Sequence, residues 1–177
     1  VKVPVVFTRK DFRPEEYTPE QLDHEKLNDG VRLHEETKSH LEIYARTYGK
    51  QVVKPFILVV AKDTDHSKKI REYITSDDFF RGYYKDKVIE INSSQRGAEK
   101  DENIEQLLSL EKPDNKIEIV IHVNMLKEGW DVTNLYTIVP LRASASETLT
   151  EQTIGRGLRL PYGDRTGVDE VDRLSIV

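Results

Sequence analysis

The chain has no cysteine, and only one methionine and one tryptophan, among its 177 residues. Without thiols there is no disulfide framework and no thiolate metal site, and nothing marks a redox compartment. No apolar run approaches the roughly 20 residues that a membrane-spanning helix needs, and no signal-peptide pattern stands at the start. A soluble, cytoplasmic chain without a membrane partner is the default expectation. Basic charge is not in excess: the formal net charge is -5, so nucleic acid would have to be met by a local patch. A phosphate-cradling Gly-x-x-x-x-Gly-Lys-Ser/Thr loop is missing too, since Tyr48-Gly49-Lys50-Gln51 has neither the first glycine nor the hydroxyl residue. No acidic tetrad follows an apolar strand. His24, His34 and His40 lack ligand spacing, so no metal site is expected.

The patterning that is present describes an α/β fold. Residues 3–7 form a short strand candidate, and 9–29, punctuated by Pro14, Pro19 and Gly30, read as an irregular lead-in with a short helix. A helix is expected over 31–48, with Gly49 as its stop. Residues 56–61 are continuously apolar, as in a strand buried on both sheet faces. Asp63-Thr64-Asp65 then cap a helix over 66–74. The unit recurs: a strand at 88–91 leads through Asn92-Ser93-Ser94 to a helix near 102–110, and a strand at 117–123 leads into 124–131. A strand at 135–140 precedes the capping-box spacing Ser144-Ala145-Ser146-Glu147 and a helix to about 158, and another strand begins at Leu174. Such alternation predicts an open, mainly parallel sheet flanked by helices, in one domain whose first 50 residues are a lead-in. Because the chain begins at Val1 and stops on the strand-like run 174–177, we expect a fragment of a longer protein.

In sheets of this kind ligands sit beyond the carboxyl ends of strands. Two segments stand out, Lys127-Glu128-Gly129-Trp130-Asp131 and Gln152-Thr153-Ile154-Gly155-Arg156-Gly157-Leu158-Arg159. On a helix Gln152, Arg156 and Arg159 fall at i, i+4 and i+7, one face. Two guanidinium groups so placed repel, and Gly155 and Gly157 each cost about 1 kcal/mol relative to alanine. An anionic partner explains both, and the planar fork of arginine matches phosphate. His122, inside an apolar strand, reads as a core histidine. Trp130 reads as a core anchor rather than a base-stacking platform, and Ser93 and Ser94 as turn residues, with phosphate contact as the minority alternative.

At this point a resemblance becomes specific. Gln152-x-x-Gly155-Arg156-x-x-Arg159 resembles motif VI of superfamily 2 helicases, Gly129-x-Asp131 resembles motif V, and Asp63-Thr64-Asp65-His66 lies where motif IV is expected. The fuller runs 123–142 and 155–163 are similar to the C-terminal RecA-like domain of type III restriction enzyme Res subunits. The resemblance implies a three-layer RecA-like domain in which Arg156 and Arg159 reach ATP phosphates held on a partner motor domain. Gln152 would orient the phosphates or the attacking water, Asp131 would accept from the ribose or couple the nucleotide to the DNA side, and Gly129 would let the backbone approach, with Gly155 also at the cofactor site. ATP and Mg²⁺ would be held mainly by the N-terminal RecA-like domain of the same protein. The other partners implied are double-stranded DNA and the modification (Mod) methyltransferase subunit. The family's threonine and arginine positions in motif V hold Val123 and Glu128 here, so DNA contacts would shift to Lys127 or to Asn92, Ser93 and Ser94. The rival expectation is a RecA-like interaction domain that never meets nucleotide.

Overall fold

Apolar runs too short for helices decide the centre of this molecule. The computed structural model describes residues 1–92, 94–123, 132–141 and 158–177. Its strands are β1 (Val3–Val6), β2 (Phe56–Val60), β3 (Val88–Ile91), β4 (Ile119–His122), β5 (Leu135–Pro140) and β6 (Arg173–Ile176). They form one sheet in the order β1-β6-β5-β2-β4-β3, with every pairing parallel. The helices are α1 (Pro19–Tyr48), α2 (Thr64–Ile74), α3 (Gly97–Leu108) and the four-residue α4 (Asp169–Asp172).

Three layers follow from the two-residue period of the central strands. Ile57, Val59 and Ala61 face a core that also holds Leu27 and Val31 of α1 and Ile70 and Ile74 of α2. Phe56, Leu58 and Val60 face the opposite core with Leu107 of α3 and Leu110. Burial on both faces is why β2 reads as five consecutive apolar residues. The expected α/β architecture is therefore observed, as a three-layer RecA-like fold.

One expectation needs correction. Residues 19–48 are a single 30-residue helix and not a short helix in an irregular lead-in followed by a second one from residue 31. Pro19 stands at the start, where its missing N–H costs nothing, and Thr18 and Gln21 form a reciprocal capping box. Gly30 is no stop. It lies where α1 crosses β5, and a Cβ there would come within 2.5 Å of Val139 Cγ2. The true stop is Gly49, at φ 62°.

β1 is an edge strand. Phe7 donates its N–H to the Ile176 carbonyl, so odd-numbered residues face β6 and the outward positions are Pro4 and Val6. Proline has no N–H to offer there, which blunts the edge against further strands.

Candidate functional site

The carboxyl ends of the strands carry two built features. After β2, Asp63 caps α2 by accepting the His66 N–H at 2.8 Å. The His66 ring is oriented from both sides: Nδ1 accepts from the Lys62 N–H at 3.0 Å, which leaves Nε2–H to donate to Asp23 at 2.6 Å. After β3, Asn92 is buried. Its amide Nδ2 donates to Glu90 Oε2, and its Oδ1 accepts from both the N–H and the Oγ of Ser94. Glu90, a carboxylate inside the sheet, is further held by Ser67 Oγ at 2.7 Å and Arg71 at 3.7 Å. Asn92 therefore shapes the turn from within, while Ser94 is exposed on it.

At the amino ends of the strands Lys2 gathers two segments. Its ammonium donates to the carbonyls of Thr133 and Leu135, both at 2.8 Å, and lies 4.2 Å above the Tyr136 ring. Its main-chain N–H donates to the Leu158 carbonyl at 2.5 Å. The next residue, Arg159, is exposed, and the bond at Leu158 brings its main chain beside β1, the outer strand opposite the β3 edge that leads to Ser94. Thr133 is fixed in turn by Glu111, whose Oε1 accepts from the Thr133 N–H at 2.7 Å and its hydroxyl at 3.1 Å. Tyr162 donates to the Gln51 carbonyl at 2.7 Å and packs on Tyr44.

His34, Glu35 and Glu118 place one potential ligand atom each within 4.8 Å of one another. The Lys38 ammonium bridges this cluster, 2.9 Å from Glu118 and 3.4 Å from Glu35. Both carboxylates are already paired with the Lys38 ammonium, and His34 Nε2 is bonded to Glu118 at 2.7 Å, so these residues do not fit Mg²⁺.

Of the expected site residues, Arg159, Asn92 and Ser94 fall within the described structure. Gln152, Arg156, Gly155, Gly129, Asp131, Lys127 and Ser93 lie outside the described residues, as do Trp130 and all but the last residue of the helix expected to about 158. His122 is buried in β4 as expected. Lys2 was missed by spacing and motif alike; the available signal was a lone charge in the apolar run Val1-Lys2-Val3-Pro4-Val5-Val6. No helix among the described residues is long and apolar enough to cross a membrane.

No family model matches the chain. It is 35% identical over 108 residues to the Res subunit of the type III restriction-modification enzyme EcoPI of Escherichia phage P1, covering 51% of this chain and 11% of that one. It is 36% identical over 105 residues to the EcoP15I Res subunit of Escherichia coli, covering 50% of this chain and 10% of that one. The chain thus spans about a tenth of the length of these curated relatives. Among solved structures it is similar to a fragment assigned to the HsdR subunit of a type I restriction enzyme from Vibrio vulnificus YJ016. That likeness has a TM-score of 0.52 and 19% identity, covering 83% of this chain and 27% of the other, and shows the fold alone.

Proposed function

From its homology to the Res subunits of type III restriction-modification enzymes, we propose that this chain is the second motor domain of an ATP-dependent DNA translocase. In its longer form the protein would cut DNA with a Mod methyltransferase subunit as partner. The observation that carries this reading is the spacing of Gln152, Gly155, Arg156 and Arg159 in a chain with such homologues and an all-parallel RecA-like sheet. ATP and Mg²⁺ are held mainly by the N-terminal RecA-like domain, because this chain has no phosphate loop and its one described cluster of ligand atoms is taken by Lys38. Arg156 and Arg159 act across the cleft on the nucleotide phosphates, as charge-stabilising groups rather than as acids or bases. Gln152 orients, and Asp131 with Gly129 meets the ribose. Duplex DNA is gripped by its backbone, through Lys127 and the 92–94 turn, in which Ser94 is the exposed described residue.

Replacing Arg159 by alanine in the full-length Res subunit tests this. DNA-stimulated ATP hydrolysis should fall by about 10³-fold or more, the range known for arginine fingers. Undiminished hydrolysis would remove Arg159 from the phosphate site.

A further inference from the structure

A lysine side chain is costly to bury, and Lys2 is 1% exposed. Burial lowers its pKa to about 7, with Glu111 partly opposing. Charged or neutral, the amino group has at least two N–H donors, the number its two carbonyl partners require. Those partners, Thr133 and Leu135, begin two residues after Asp131, and the main-chain N–H of the same lysine is committed to Leu158, the residue before Arg159. One residue just before the edge strand therefore spans the exits of both segments that carry the motif residues.

We propose that Lys2 is a positioning residue that locks the exit of the Gly129–Asp131 segment to the exit of the arginine segment, so that Arg159 is set relative to the 132–135 stretch. The functional meaning of this tie rests on the reading of Arg159 given above. Any non-proline residue at position 2 offers that main-chain N–H; what the lysine adds is the grip of its ammonium on two carbonyls of the 132–135 stretch, which fixes the backbone from which the N–H is donated. Glu111 extends the tie: it holds Thr133 by two hydrogen bonds, and Thr133 presents its carbonyl to Lys2.

Hydrogen exchange on the 177-residue chain tests the coupling directly. Lys2→Met deletes the ammonium and keeps the main-chain bond to Leu158. If Lys2 couples the segments, amides in 132–135 and also in 158–162 exchange faster, by about tenfold for the loss of one to two net hydrogen bonds, while those around Ile89 and Val120 keep their rates. Acceleration confined to 132–135, or spread evenly into β3 and β4, overturns the proposal in favour of a local or a general packing role. Glu111→Ala, at an exposed position, should accelerate 158–162 several-fold although Glu111 makes no described hydrogen bond or ion pair to that segment; no change there also overturns it. The measurement contains no nucleotide, so its failure leaves the Arg159 reading standing, and failure of the hydrolysis test leaves the tie standing.

Discussion

At Glu118 burial and charge are opposed. Burial by itself would raise its pKa, but hydrogen bonds from His34 at 2.7 Å and Lys38 at 2.9 Å outweigh that effect and bring it down to about 2. The folded value is below the ordinary one, so the stabilisation is complete above the usual carboxylate range and is lost as pH falls toward 2. Glu118→Gln should therefore flatten the acid limb of stability below about pH 4.5, and should cost about 3 kcal/mol at neutral pH by leaving Lys38 without its nearer partner. Urea unfolding at stepped pH measures both; an unchanged acid slope would assign acid denaturation to other carboxylates. Residues of this kind were not legible in advance. Lys2, Glu90 and Glu118 each sit as single charges among apolar neighbours, and the two-residue period that identifies a strand says nothing about which polar group will supply the partner.

At the scale of elements, α1 separates what sequence reveals from what it hides. Its cap at Gly49, the cap of α2 at Asp63 and the double burial of β2 were readable because each depends on a few adjacent residues. The stretch 19–30 was misread because Pro19 and Gly30 are breakers on local grounds, and the reason for Gly30 is a contact with Val139, 109 positions away. The pairing of β1 with β6 is equally non-local. Gly30→Ala therefore sets two effects against each other: about 1 kcal/mol gained in helix propensity, and overpacking against Val139 that costs about 1–3 kcal/mol. Overpacking wins, because neither a helix backbone nor a fully buried sheet residue can yield by the needed distance. The expected outcome is a Tm lowered by about 4 °C. Val139→Ala in the same chain should recover part of that loss, and purely additive melts would show that the close approach is not the cause.

At the scale of the whole molecule, the described residues put the Arg159 main chain at the amino edge of the sheet and the Ser94 turn at the carboxyl edge, with six parallel strands between them. A sheet packed on both faces moves as a rigid body, so on the function proposed above nucleotide and DNA would be linked by how the whole domain tilts against its partner. That arrangement was only half legible: the motif spacing singled out the arginine segment, but nothing in it revealed that Lys2 anchors its exit. The DNA side is tested by adding charge, because a gain cannot come from damage to the fold. Ser94 is exposed, and replacement by lysine removes its Oγ bond to Asn92 but keeps its N–H bond there. Arg96, two residues on, is exposed, while the exposed acid Glu99 stands in the first turn of α3, so the added charge has to outweigh a mixed surface. If duplex DNA lies along this edge, Ser94→Lys in the full-length protein adds one phosphate contact. Affinity then rises at low salt for every sequence alike, and the slope of log K against log salt steepens by roughly 0.9. A fluorescence-anisotropy titration across salt concentrations reads that slope, and an unchanged value would move the DNA off the 92–94 turn.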